Sequence, residues 1–334
     1  MNSTKRNPRR RLSTLMLAAA PIAASPLFAA DAPQPPAAQS ANVVDISSSS
    51  RFPWHFEKTY TKFEPGPWKG PRTSDGQPDV SGSWSNTISN HGNFTDPQGG
   101  TPNDPHFRAK GARSERALSR VTDPADGSVP FQPWALEKVK DFQDHFWNPT
   151  GPQYIEPLER CAPGGIPKSL YFYGYEISQY PDYVVFTFDT SSRIIHLDGK
   201  PHLPENLKLW NGDSRGHWEG NTLVVDVRNL NGKALFGRSG EFFSENATVQ
   251  EKYTFASDGL HYTYEAVITD PTVFTRPFTV TVPARKWTNQ DKPNEWAFAA
   301  TVSKHPGKEI ILEPKVHECV ENNDGFALGS VTSR

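Results

Sequence analysis

"TVQEKYTFASDGLHYTYEAVI", Thr248 to Ile268, decides the fold. Over Thr248–Phe255 apolar and polar residues alternate. Val249, Glu251, Tyr253 and Phe255 share one face, and Gln250, Lys252 and Thr254 share the other. Side chains along a strand point alternately to its two faces, so the run reads as a half-buried strand. Asp258-Gly259 supplies residues that tolerate the positive φ of a tight hairpin turn. Beyond it Tyr262 and Tyr264 resume the alternation on a second strand, with His261 and Glu265 facing the other way.

The same pattern spreads outward from this hairpin. "LYFYGYEI" (Leu170–Ile177), "YVVFTFDT" (Tyr183–Thr190), "RIIHL" (Arg193–Leu197), "TLVVDV" (Thr222–Val227) and "FTVTVPA" (Phe278–Ala284) are all strand-like. Asp198-Gly199 is a further hairpin signal, and Glu219-Gly220-Asn221 reads as a turn between two strands. Asn211-Gly212-Asp213-Ser214 reads as another turn, since Asn and Asp there bond to their own backbone. Many short strands joined by tight turns predict an all-β protein, a barrel or a sandwich. The aromatic alternation leaves bulky residues on one face, so a lipocalin-like antiparallel barrel with a ring-lined interior is the expected architecture.

The region from residue 51 to about residue 130 is dense in turn formers, as in "EPGPWKGPRTSDGQPDVSGSW" (Glu64–Trp84), and predicts an irregular wrap with isolated strands. One short helix is expected in "PWALEKVKDFQDHF" (Pro133–Phe146). It begins with a proline and repeats Leu136, Val139, Phe142 and Phe146 at helical spacing.

The chain opens with Lys5, Arg6, Arg9, Arg10 and Arg11, followed by "LSTLMLAAAPIAASPLFAA" (Leu12–Ala30). A basic segment, a short apolar run and a small-residue exit read as a secretory signal peptide over residues 1–30, with "RRRLSTL" compatible with twin-arginine export. Pro21 and Pro26 interrupt the run, which is too short for a membrane span. Residues 31–50, rich in Pro, Ala and Ser, read as a disordered tether. Residues 51–334 are expected to form a single barrel domain in a periplasmic compartment. There, Cys161 and Cys319 would form one disulfide, the alternative being two buried thiols. A net charge of −2, with no basic stripe, argues against a nucleic-acid partner.

"SDGQPDVSGSW" (Ser74–Trp84), "CAPGGIPK" (Cys161–Lys168), "RIIHLDGKPH" (Arg193–His202), "WNGDSRGHWEGNTLVVDV" (Trp210–Val227), "TDPTVFTRPF" (Thr269–Phe278) and "CVENN" (Cys319–Asn323) follow in this order. As a set they resemble a large family of exported bacterial proteins from soil acidobacteria and sphingomonads, mostly without an assigned function. The resemblance covers nearly the whole mature chain and implies, for some members, the breakdown of lignin-derived aromatics by cofactor-free decarboxylation. Members often carry Cys-His-Glu where this chain has Cys319-Val320-Glu321, so no role passes to that position, and His317 is no obvious replacement.

Strand phase gives the candidate site. Glu251 shares the apolar face of its run, so it should point inward, where a carboxylate needs a partner. Arg276 is in phase with Phe274, Phe278 and Val280 and is the expected partner, provided that the strand stays regular through Pro277. Tyr173 and Tyr175 join them as candidate catalytic groups. Tyr262, Tyr264, His202, Trp210, Asp213 and Trp218 complete the candidate substrate contacts. Arg276 would clamp a carboxylate in a two-pronged fork, tyrosines would bond it or a phenol, and Glu251 would handle the proton. Phenolic acid decarboxylases use a comparable Tyr/Arg/Glu kit in a lipocalin-like barrel.

The sequence holds no nucleophile elbow ("GRSGE", Gly237–Glu241, lacks the pattern), no P-loop, no dinucleotide fingerprint and no metal-ligand spacing, so neither cofactor nor metal is expected. The expected function is a periplasmic, cofactor-independent lyase of decarboxylase type for a small aromatic carboxylic acid. The alternatives are a non-catalytic carrier of a small aromatic or apolar ligand, in which Glu251 and Arg276 merely pair, and a carbohydrate-active enzyme that stacks sugars on Trp210 and Trp218. For Asp213, His217 and Glu219 the plainer reading is turn chemistry. Asp198 reads as a turn residue, and His196 and His202 as surface or loop histidines.

Overall fold

The computed structural model describes residues 63, 65–85, 94–97, 118–160, 162–172, 175–188 and 191–286. The expected signal peptide and tether, Tyr173, His317, Cys161 and Cys319 lie outside the described residues.

Among the described residues ten strands follow one another: β1 (Gly82–Ser85), β2 (Val121–Asp123), β3 (Tyr175–Tyr180), β4 (Tyr183–Thr187), β5 (Ser192–His196), β6 (Asp213–Glu219), β7 (Thr222–Arg228), β8 (Thr248–Phe255), β9 (His261–Thr269) and β10 (Phe278–Lys286). Nine of them close a barrel of lipocalin-like plan. The order β1-β3-β4-β5-β6-β7-β8-β9-β10 returns to its start because β10 also pairs with β1. Closure gives each of these nine strands a neighbour on both sides, while β2 pairs with β10 alone. The closing strand β1 comes from the segment expected to be an irregular wrap, which is therefore part of the barrel wall.

The expectation of a wholly antiparallel barrel needs one correction. β5 and β6 run parallel, with Ile195 opposite Ser214 and His196 opposite Arg215. Parallel neighbours cannot be joined by a tight turn, so Asp198-Gly199 is no hairpin. It opens a long connection that returns to the end of the barrel where β5 began. The turns expected at Gly220 and Gly259 do join antiparallel pairs, and both glycines have positive φ.

The start of "LYFYGYEI" also departs from expectation. Ser169–Phe172 is a helical turn, α2, and the strand begins only at Tyr175. The expected longer helix is α1 (Pro133–His145). Its buried face uses Ala135, Val139 and Phe142, with Phe146 just beyond, whereas Leu136 is 41% exposed. Gln143 Nε2 donates to the Ser239 carbonyl and fastens the helix to the β7–β8 connection.

A proline inside β10 has a topological explanation. The Thr281 N–H donates outward to the Arg120 carbonyl. Pro283, two residues on, turns its missing donor to the same side. The partner strands there are β2, which pairs at Thr279 and Val280, and β1, which pairs at Arg285 and Lys286. Pro283 falls in the gap between them, where no ladder bond is lost.

The barrel interior is filled by rings. Tyr262 packs on Trp84 at 5.1 Å and on Phe255 at 5.0 Å between centroids, and Tyr253 packs on Tyr264 at 5.0 Å and on Phe186 at 5.2 Å. Phe236 stacks on Phe243 at the β7–β8 connection and touches Phe274 and Phe278 where β10 begins. Among the described residues no helix is long and apolar enough to cross a membrane.

Candidate functional site

Glu251 points inward as the alternation of β8 requires, and it is fully buried. Its guanidinium partner is Arg193 on β5. Arg193 Nη1 donates to Glu251 Oε1 at 3.0 Å and Nη2 donates to Oε2, a two-pronged pair whose side chains are 1% and 0% exposed. Tyr264 donates its hydroxyl to the same Oε1 at 2.7 Å, and Tyr253 does so at 3.4 Å. The Tyr253 hydroxyl also accepts from Arg193 Nη1 at 3.1 Å, and Arg193 Nε donates to Ser214 Oγ at 2.9 Å. Five residues from β5, β6, β8 and β9 thus meet in one dry hydrogen-bonded cluster. A second polar contact lies beside it: the hydroxyls of Tyr175 and Tyr262 bond to each other.

The electrostatics follow from burial and pairing. Burial opposes the charge on Arg193, but Glu251 and the neighbouring tyrosines outweigh it and hold the guanidinium protonated above its ordinary range. Burial, reinforced by the Glu251 charge, pushes Tyr253 and Tyr264 well above the usual phenol range, and burial alone does so for Tyr262. These tyrosines stay protonated, and Tyr253 and Tyr264 act as donors to Glu251. An ion pair in so dry a setting is tolerable only because its remaining lone pairs and protons also find partners.

Arg276, the expected partner, is not in the barrel. The strand phase breaks at Pro277, and β10 starts at Phe278. Arg276 sits in the preceding loop, 46% exposed at its side chain, paired with Asp123 and bonded by Nε to the Pro277 carbonyl. A proline that ends a strand leaves the residue before it free of the alternation, so the in-phase argument does not reach Arg276.

The polar motif residues His202, Asp213, Arg215 and Asp226 gather on the outer face of β6 and β7. His202 Nδ1 faces Asp213 Oδ2 at 2.8 Å, and its Nε2 faces Asp226 Oδ2 at 3.1 Å. Asp213 Oδ2 also accepts from Arg215 Nε at 3.1 Å and from the Leu203 N–H at 3.0 Å. Arg215 continues to Asp198, and Arg228 donates to Asp226 at 2.8 Å. This network pins the long β5–β6 connection to the wall. Trp210 is half-buried, and Trp218 is half-buried against Phe255 at 5.9 Å. Neither is the exposed platform that sugar stacking would use. His202, Trp210 and Asp213 are remote in role from the interior cluster, which contains Glu251, Tyr264 and the overlooked Arg193, Tyr253 and Ser214.

A third group of buried ionisable residues lies among the connections at the barrel end. Lys168 bonds to Glu156, with side chains 0% and 3% exposed, and Glu241 lies within electrostatic reach of Lys168. No period marks these residues in the sequence, because they sit in loops. Among the described residues no trio of His, Cys, Asp or Glu is placed to hold a metal ion.

No protein-family model matches this chain, and neither a curated protein nor a solved structure does.

Proposed function

We propose that the protein is a cofactor-independent lyase of decarboxylase type, acting in an exported, periplasmic setting on a small aromatic carboxylic acid, of the kind released from lignin. The observation that carries this reading is the convergence of Arg193, Glu251, Tyr253 and Tyr264 at hydrogen-bond distance inside a ring-lined barrel. An incoming carboxylate would compete with Glu251 for the guanidinium fork. Two carboxylates on one guanidinium leave a negative charge uncompensated in a dry site, and the carboxyl displaced from the fork resolves this by taking a proton. When the bond between the substrate carbon and its carboxylate breaks, carbon dioxide leaves and the electron pair stays on carbon. Glu251 then returns the proton to that carbon. Tyr253 and Tyr264, held protonated, keep the carboxylate or a phenol oriented. A substrate reaches this cluster only if one end of the barrel opens.

The near-complete burial of the Arg193–Glu251 pair favours a second reading. There the pair is a structural tie, and any aromatic ligand is carried unchanged. Product analysis separates the two. The purified protein is incubated with hydroxylated aromatic acids and lignin-derived dimers, and carbon dioxide release is followed. The lyase reading expects decarboxylated product from the wild type, and none from Glu251→Gln although that variant folds and still quenches tryptophan fluorescence on ligand uptake. Full turnover by Glu251→Gln ends the assignment, and uptake without product by the wild type establishes the carrier.

A further inference from the structure

The loop layer at the barrel end holds a lysine and two glutamates that the proposed lyase chemistry does not use. Lys168 is fully buried and donates from Nζ to Glu156 Oε1, while Glu156 Oε2 accepts the Leu158 N–H at 3.0 Å. Glu241 is 4% exposed, and its Oε2 has no hydrogen-bond partner. The neighbouring Ser239 hydroxyl, 3% exposed, has none either. An orphaned carboxyl oxygen in a sealed site is costly, and such groups call for an explanation.

Three features point to chemistry rather than to a plain ion pair. Burial, helped by the nearby Arg238 charge, lowers Lys168 well below its ordinary range, so a neutral amine, the nucleophilic form, is accessible. Burial pushes the Glu241 carboxyl up to about 7, the range in which a carboxyl both gives and takes protons. Finally, Lys168 and the attacked carboxyl both belong to the chain and are already in contact, so no ligand path is needed. Groups so held react as if at very high concentration.

We propose that Lys168 and Glu156 form an intramolecular amide cross-link, with Glu241 as the proton shuttle. The Lys168 Nζ attacks Cδ of the Glu156 carboxyl in its protonated form. The new Nζ–Cδ bond replaces the bond from Cδ to one oxygen. Glu241 accepts a proton from the nitrogen and delivers one to the departing hydroxyl, which leaves as water. Nothing is oxidised or reduced. The product exchanges a buried ion pair for a neutral amide, which a dry site favours.

The test is peptide mapping of the wild-type protein after reduction and trypsin digestion. The cross-link predicts a branched species that joins the peptide Asp141–Arg160 to the peptide Cys161–Arg193, lighter than their sum by one water and uncut after Lys168. Glu241→Gln, folded by circular dichroism, should yield the two chains separately, with cleavage restored at Lys168. Complete recovery of unjoined peptides from folded wild type overturns the proposal. A fully joined species in Glu241→Gln overturns the assigned shuttle.

Discussion

Arg193 and Glu251 meet across the barrel rather than along its wall. Strands β6 and β7 lie between β5 and β8, yet Nη1 of the arginine is 3.0 Å from Oε1 of the glutamate. Only a long, forked side chain can reach so far and still present two parallel donors. The pair therefore ties two arcs of the wall through the core, and whatever else it does, the register of β5 depends on it.

Removing one partner should expose that dependence. Arg193→Met leaves a buried carboxylate without its counter-charge and is expected to cost about 3–5 kcal/mol in urea denaturation. Arg193→Met combined with Glu251→Leu should recover most of that loss, because the cycle then lacks the orphaned charge. A single variant as stable as the wild type would mean that the pair is incidental.

Arg276 makes the opposite case. Its partner Asp123 and its own side chain are both about half exposed or more, at 59% and 46%. Exposed pairs contribute little, so Arg276→Ala should change stability by no more than about 1 kcal/mol and leave ligand uptake and turnover unaltered. A collapse of turnover in that variant would return Arg276 to the site.

These two arginines show what was legible in the sequence. Periodicity located the runs that form β3, β4, β5, β7, β8, β9 and β10, but not β1, β2 or the start of β6, where Asp213 and Ser214 were expected in a turn. It placed Glu251 inward because its neighbours Val249 and Tyr253 are apolar and Gln250 and Lys252 are not. "RIIHL" offers no such contrast: Ile194 ends 47% exposed and Ile195 fully buried, so alternation alone could not select the face that carries Arg193. Strand direction leaves no trace in periodicity either, which is why the parallel β5–β6 seam was missed. The Lys168 cluster lies in connections, where burial follows from tertiary packing and not from any local repeat.

The Glu241 carboxyl should leave a mark on stability. Its folded value of about 7 lies above the ordinary 4.5. Between these values the folded state holds a proton that the unfolded chain has released. Stability should therefore fall as pH rises from about 4.5 to 7, by an amount on the order of 2–3 kcal/mol, and level off above. Glu241→Gln should flatten this limb in denaturation curves collected across that range. An identical slope in the variant would assign the effect to another group.

Asp213 should act in the opposite direction. Burial opposes its ionisation, but the bonds from Arg215, the Leu203 N–H and His202 prevail and hold its carboxyl below the ordinary 3.8. Its contribution is present above that value and is lost as pH falls through the lower, folded one. Asp213→Asn should cost about 1–3 kcal/mol near neutrality, and the gap from wild type should narrow below about pH 4. Both nitrogens of His202 face carboxylate oxygens, Asp213 Oδ2 at 2.8 Å and Asp226 Oδ2 at 3.1 Å, so the ring ties the β5–β6 connection to both strands. His202→Ala should therefore loosen the β5–β6 connection, read as faster amide exchange at Leu203 and Asn229. Unchanged exchange there would show that the histidine does not hold the loop.

The two glycines of "WNGDSRGHWEGN" that take positive φ give the last test, because they differ in surroundings. Gly220, at the tip of the β6–β7 hairpin, has φ +61° and open space where a Cβ would go. Gly212, at the start of β6, has φ +67°, but a Cβ there would lie 2.6 Å from the Arg228 carbonyl oxygen and 2.6 Å from a Val227 methyl. Gly220→Ala should cost only the backbone penalty of a left-handed alanine, about 1–2 kcal/mol. Gly212→Ala carries that penalty plus a collision with backbone that cannot turn aside, and it should be the more damaging by at least about 1 kcal/mol. Thermal denaturation of the two variants side by side decides it. Equal losses would mean that the approach of β6 to β7 at Gly212 is looser than these contacts require.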